Sequence, residues 1–364
     1  MKALAVFPSA RETRLVDHPQ PVIQRPTDVK LRILEAGICG TDREIASFEY
    51  GMSPADSPYL IIGHEALGEV TELGNEVTGF TPGDLAVLTV RRPCPHERCT
   101  PCRHRRQDFC ITGDFTERGI KGIHGYMTEF VVDDEQYVVK VPRELRDVAV
   151  LVEPLTVAEK AAEQVRVLTQ RLPGDLKNDP SNLNAVVLGA GPIGLLGAMK
   201  LLRGGFNTWV YSRGDADSPS VKIVTAIGAQ FISAAEYQPT DLAKIVGNIS
   251  LMYEATGVAS VFFGALSVLG VNGIFMSTGV PAMGEPVTID ARRIMRNMVL
   301  DNHVICGTVN AGRASFEEAV DDLGWFMQSF PEAVRALITS RSTLDDARDA
   351  VLTPGGVKSV ITIG

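Results

Sequence analysis

The sequence predicts an α/β protein of two domains: an irregular, mostly antiparallel β domain and a domain built on a doubly wound parallel sheet. Three observations predict it. At 364 residues the chain is longer than one hydrophobic core usually serves. Residues 1 to about 150 are dense in glycine, proline and short apolar runs. Beyond about 185, strand-like runs alternate with helical patterns, which implies parallel strands joined by crossover helices.

In the first part, the runs at 29–34, 68–73, 85–88 and 127–132 read as strands, and many close on turn residues such as Thr81-Pro82-Gly83-Asp84. From Pro154 to about Leu172 the pattern is helical, with Val157, Ala161, Ala162, Val165 and Leu168 at helix-face spacing. A polar connector follows at 173–181. Six candidate strands come next, at 185–188, 208–211, 230–232, 251–253, 273–277 and 304–307, with a helix near 220–227. The tail ends on the apolar run 357–363, which is expected to pair back into the first domain. The expected division is therefore 1–155 with 311–364, carrying a lobe at 94–110, and 156–310. No repeat or low-complexity tract interrupts this plan.

Composition narrows the function. With 45% hydrophobic and 22% charged residues the chain is an ordinary globular protein. A net charge of -9 and only 6% aromatic residues argue against nucleic acid and against anionic membranes as partners. No apolar run approaches the ~20 residues that span a bilayer. The N-terminal apolar stretch stops at Arg11, Glu12 and Arg14, too soon for a secretory signal, so a cytoplasmic enzyme is expected.

The cysteines point to metal. Cys94, Cys99, Cys102 and Cys110 fall in one short loop, and four thiolates at that spacing suit a closed, tetrahedral structural zinc site. His96 and His104 lie inside the loop as possible substitutes. Arg91, Arg92, Arg98, Arg103, Arg105 and Arg106 surround it, which would suit a nucleic-acid ribbon were the whole chain not acidic. A second set, Cys39 in Gly37-Ile38-Cys39-Gly40-Thr41-Asp42 with His64 and Glu65 in Gly63-His64-Glu65, offers thiolate, imidazole and carboxylate. Three protein ligands leave a zinc position open for water or substrate, and Glu153 is a candidate fourth, direct or through water. Each residue alone has a bland reading: a buried thiol, a core histidine, an acid at a helix start.

Directly after the strand at 185–188 comes Gly189-Ala190-Gly191-Pro192-Ile193-Gly194, the dinucleotide fingerprint. Its glycines permit a tight turn, close approach of a pyrophosphate and close helix–strand packing, with the phosphates at the positive helix end. An acid at the end of the next strand would hold the ribose 2′-hydroxyl of NAD. The chain there reads Val210-Tyr211-Ser212-Arg213-Gly214-Asp215, with no acid at the strand end, so Arg213 favours the 2′-phosphate of NADP. The competing reading puts Asp215 on the ribose, making NAD the cofactor.

Together these motifs resemble the zinc-dependent medium-chain dehydrogenases, over essentially the whole chain. The resemblance implies a GroES-like β catalytic domain and a Rossmann cofactor domain. The runs Val90-Arg91-Arg92-Pro93-Cys94, Thr116-Glu117-Arg118-Gly119-Ile120, Tyr253-Glu254-Ala255-Thr256-Gly257 and Gly307-Thr308-Val309-Asn310 are similar to the glucose dehydrogenase branch. That branch implies oxidation of an aldose at C1 to a lactone. It implies catalytic zinc on Cys39, His64 and Glu65 with Glu153, sugar contacts from Glu117, Glu153 and Asn310, and a proton path through Thr41 or Glu153. Thr256, Gly279 and Asn310 complete the expected cofactor set, and a homodimer or homotetramer is implied. The four-residue gap between Cys94 and Cys99, where two is common, leaves the first structural ligand open. A sorbitol-type polyol dehydrogenase, an alcohol dehydrogenase and a non-catalytic cofactor-binding protein are the alternatives.

Overall fold

The computed structural model describes residues 1–173, 180–281 and 284–364. Most of the predicted connector at 173–181 lies outside the described residues. The chain divides into two compact units, Met1–Thr156 with Asn310–Gly364, and Val157–Val309.

The first unit is built on a seven-stranded sheet whose centre is Asp28–Gly37. This strand carries Val29, Leu31 and Ile33 at alternate positions, so one face of it meets Ala66, Val70, Ala86, Leu88 and Val131 in a dry core. Glu65–Leu73 and Phe130–Asp134 both pair with it antiparallel. Lys358–Thr362 joins on the same strand, setting Ile361 opposite Ala36, so the C-terminal tail does return to this sheet. The predicted strand at 127–132 starts later, at Phe130. Met127 and Thr128 serve a different partner first: Leu4 N–H donates to the Met127 carbonyl and Ala3 bridges Thr128. Only long-range pairing decides this, so local alternation did not show it.

The second unit holds a six-stranded, wholly parallel sheet. Its order is Gln230–Ser233, Asn207–Ser212, Asn184–Leu188, Ile249–Glu254, Ile274–Ser277, Val304–Gly307. All six strands fall where the alternation placed them. The order reverses between Asn184–Leu188 and Ile249–Glu254, the switch point at which doubly wound sheets bind nucleotides. This is the Rossmann arrangement. The helix Val152–Thr169 begins two residues before the predicted start at Pro154, because Pro154 needs no backbone N–H in a first turn.

Candidate active site

The strand Asp28–Gly37 delivers Cys39 to the start of the helix Gly40–Ala46. Asp42, two residues into that turn past Gly40, closes it by accepting the Cys39 N–H at 2.8 Å. The same carboxylate accepts the Gly63 N–H at 3.0 Å and faces His64 Nδ1 at 3.4 Å. Asp42 therefore ties two loops together through backbone N–H groups and stands beside the imidazole. Cys39, His64 and Glu65 present ligand atoms within 4.8 Å of one another. Their chemistry suits zinc: one soft thiolate, one imidazole and one carboxylate. The Glu153 carboxylate is not part of that close set. Thr41 Oγ1 lies 3.9 Å from Cys39 Sγ.

Electrostatics agree with a cation site. Burial opposes a charged His64, yet the Asp42 carboxylate and the Cys39 sulfur outweigh it and hold its pKa well above the ordinary value. Burial alone would raise Asp42; His64 and the N–H groups of Cys39 and Gly63 hold it below the usual carboxylate value. Glu153, in the first turn of its helix, is pushed up to about 7 by burial, against the pull of His64 and Lys358 and with the push of Glu65 and Asp42. A carboxyl poised near neutrality suits proton transfer.

Lys358 is a residue that sequence reasoning missed. It donates to both Glu65 oxygens, at 2.7 and 2.6 Å, and to the Ile38 carbonyl at 3.2 Å, with both side chains almost fully buried. Burial would lower its pKa, but Glu65 and Cys39 outweigh that and raise it. The available signal was a lone lysine inside the apolar run 357–363, a place that needs a buried counter-ion. Asp42 was missed as well, since in sequence it is only the acid three residues after a helix-starting cysteine.

Glu117, on the strand Thr116–Arg118, is buried. Its Oε1 accepts from Arg91 Nε and Nη2, both at 3.1 Å, and from Asn310 Nδ2 at 2.5 Å. Among the described residues its Oε2 accepts nothing. Asn310 belongs to the first unit rather than to the cofactor half, as its place at the end of the expected cofactor domain had suggested. It sits at φ +60°, and its Oδ1 is buried without a partner. A left-handed backbone and an unpaired buried acceptor thus meet at this one residue.

Cys94, Cys99, Cys102 and Cys110 form the second close set, Sγ atoms within 4.8 Å. The long gap after Cys94 is taken up by a turn in which Cys99 N–H donates to the His96 carbonyl at 3.0 Å. His96 Nε2 instead meets Asp114 at 2.5 Å, and His104 is exposed. Burial disfavours the Cys110 thiolate, but the Thr112 hydroxyl and the N–H groups of Thr112 and Gly113 prevail and bring it to about 6. Half of the surrounding arginines are engaged internally: Arg91 on Glu117, Arg92 on Asp133 and Arg106 on Asp108. That disperses the basic patch a nucleic-acid ribbon would need.

In the second unit, Gly189 turns at φ +106° and the helix Pro192–Arg203 starts at once, with Pro192 and Ile193 in its first turn. A Cβ on Gly194 would run into the Gly189 carbonyl, so only glycine allows this approach. Gly191 caps the helix without a side-chain bond, which leaves its first N–H groups for an anion. Ser212 ends the next strand and Arg213 is exposed, without an ion-pair partner among the described residues. Asp215 accepts the Asp217 N–H at 3.2 Å, which occupies it within its own turn. Thr256 donates N–H and hydroxyl to Glu254, both at 2.6 Å, and Gly279 packs against the same loop. The buried Glu254 thus organises the end of a central strand, a role the sequence did not reveal.

Residues 146–363 match the family described as glucose dehydrogenase C-terminus, and residues 25–143 match the alcohol dehydrogenase GroES-like domain. The chain is 36% identical to the glucose 1-dehydrogenase of Methanocella arvoryzae, covering 96% of each chain. It is 38% identical to glucose 1-dehydrogenase 1 of Caldivirga maquilingensis, over 100% of this chain and 99% of that one. The fold is similar to the glucose dehydrogenase of Haloferax mediterranei, solved in complex with NADP, zinc and gluconolactone, with a TM-score of 0.90 and 29% identity over 100% and 99% of the two chains. This chain belongs to the glucose dehydrogenase family of zinc-dependent medium-chain dehydrogenases.

Proposed function

We propose that the protein oxidises an aldose, β-D-glucose first among them, at C1 to the 1,5-lactone, with NADP as hydride acceptor. The observation that carries this reading is the Glu117–Asn310 pair. It presents an open carboxylate oxygen and an unpaired amide oxygen, two acceptors that hydroxyl groups of a sugar satisfy. The curated relatives, named glucose 1-dehydrogenases, and the Haloferax complex support the same substrate and cofactor.

Cys39 and His64, with Glu65, hold the catalytic zinc, which when bound supplies Lewis acidity toward the C1 hydroxyl. Asp42 stands beside His64 Nδ1 and adds negative charge to the set. Lys358 balances the charge of Glu65. Glu153, near neutrality, takes the hydroxyl proton, with the Thr41 hydroxyl as the other route out. Glu117 and Asn310 hold sugar hydroxyls. The four cysteines of the lobe hold the structural zinc. In the second unit the Gly189–Gly194 turn and helix start hold the pyrophosphate, Thr256 and Gly279 shape the loop beside it, and Ser212 and Arg213 take the 2′-phosphate.

A homodimer or homotetramer goes with this reading. Val304–Gly307 is an edge strand with Ile305 exposed, and the helix Ala291–Leu300 buries none of its residues while presenting Met295, Val299 and Leu300. A second copy pairing edge to edge would cover them. A cytoplasmic location is also proposed, since four thiols held as metal ligands need a reducing compartment.

The test is a substrate panel of aldoses, polyols and primary alcohols with each cofactor, followed at the reduced nicotinamide band. Glucose with NADP should give the highest kcat/KM. Preference for a polyol or a primary alcohol would replace the sugar reading.

A further inference from the structure

We propose that Arg91 is the positioning residue that aims Glu117 at the sugar, and that it does so from an anchor on the four-cysteine lobe. The proposal rests on the reading of Glu117 as a sugar-binding residue. Arg91 and Glu117 face each other across the antiparallel pair Arg91–Arg92 and Thr116–Arg118. The guanidinium places two N–H donors on one oxygen, Oε1, at 3.1 Å each. With Asn310 on the same atom, three donors converge on Oε1 and none of them on Oε2.

The rest of the guanidinium belongs to the lobe. Nη1 lies 3.5 Å from the Gln107 carbonyl and 3.4 Å from that of Asp108, in the single helical turn Gln107–Phe109 that leads into Cys110. The Gln107 amide donates back to the Arg91 carbonyl at 3.3 Å. The plane of Arg91 lies over the Phe115 ring at 3.7 Å, which fixes the fork further. One planar cation therefore bridges the segment that ends in a structural-zinc ligand and the carboxylate that meets the sugar. Lysine carries the charge but has no fork, so it cannot serve both sides at once. The consequence is directional: disorder in the lobe weakens sugar binding and leaves the cofactor half untouched.

The test compares Arg91→Lys, Glu117→Gln, their double variant and Gln107→Leu in the zinc-loaded protein. It reads glucose KM and kcat, the calorimetric Kd for gluconolactone, the Kd for NADP and the zinc content. Arg91→Lys should raise glucose KM and lactone Kd about tenfold, the loss of one charge-assisted bond, with NADP Kd and zinc content unchanged. The double variant should be no worse than Glu117→Gln alone, because Arg91 acts through Glu117. Gln107→Leu touches neither Glu117 nor Asn310 and should raise KM in the same sense. It keeps the idea testable should Arg91→Lys fail to fold. A raised KM in Glu117→Gln with wild-type values in Arg91→Lys or Gln107→Leu overturns the proposal alone, as does additivity in the double variant. A wild-type KM in Glu117→Gln removes the sugar role of Glu117 itself, and the proposal with it.

Discussion

Replacing Lys358 by Met probes the pairing beneath the catalytic set. The lysine is 2% exposed and Glu65 1%, and the ammonium reaches both carboxylate oxygens within 2.7 Å. Methionine fills most of the volume but leaves Glu65 buried and charged. Breaking one side of a buried ion pair costs about 3–5 kcal/mol. For a unit of roughly 200 residues each kcal/mol lowers the melting temperature by about 2–4 °C, so a fall of roughly 6–20 °C is expected. Zinc held at Cys39, His64 and Glu65, as proposed, would supply a second counter-charge, so the fall should be larger in chelator-treated protein than in zinc-loaded protein. Adding Glu65→Gln removes the orphaned charge and should restore most of the loss, a strongly non-additive cycle. The assay is thermal unfolding by circular dichroism, with and without chelator. A Lys358→Met protein that melts with the wild type in chelator, or a double variant as unstable as the sum of the singles, would refute the reasoning.

Three further outcomes are expected. Arg213→Ala should weaken NADP by about 10- to 100-fold and leave NAD nearly unchanged, since a charge-assisted bond to the 2′-phosphate is worth roughly 1.5–3 kcal/mol; equal loss for both cofactors would leave Arg213 as a solvated turn residue. Cys102→Ser should lower zinc from about two ions per chain to about one and lower the melting temperature, because a closed four-thiolate site orders its lobe; zinc loss at unchanged melting temperature would contradict a structural role. Burial, helped by His18 and Arg118, brings His124 down to about 4, and its Nδ1 accepts the Ile61 N–H, a bond only the unprotonated ring makes. The unfolded chain binds that proton below an ordinary value of about 6.5, so the stabilisation is complete above that pH and fades as pH falls toward about 4, by up to about 2 kcal/mol once solvent screening is allowed. Melting temperature against pH should therefore slope less for His124→Asn than for the wild type across that window, and parallel curves would exclude the effect.

The parallel sheet was legible because each strand is a short apolar run with its own crossover helix, so local pattern and topology agree. The β unit was legible only in part. Its strands are placed by distant partners, and Met127 and Thr128 go to Leu4 and Ala3 before the chain reaches Asp28–Gly37. Among site residues, Cys39, His64 and the four lobe cysteines announce themselves by chemistry and spacing. Their supporting residues do not. Asp42 looks like an ordinary helix acid until Gly63 and His64 are seen on it, and Arg91 looks like part of a basic patch until its fork is seen on Glu117. Lys358 lies almost three hundred residues from the carboxylate it neutralises, a pairing no local pattern encodes.

The most direct test of the account follows the hydride itself. Zinc-loaded protein is given NADP and glucose carrying deuterium at C1, and the reduced cofactor is examined by mass spectrometry. The account predicts deuterium in the reduced nicotinamide, gluconolactone as the product, and loss of both with Cys39→Ala or His64→Ala. Unlabelled reduced cofactor, or labelled cofactor formed equally well by the Cys39→Ala protein, would contradict it.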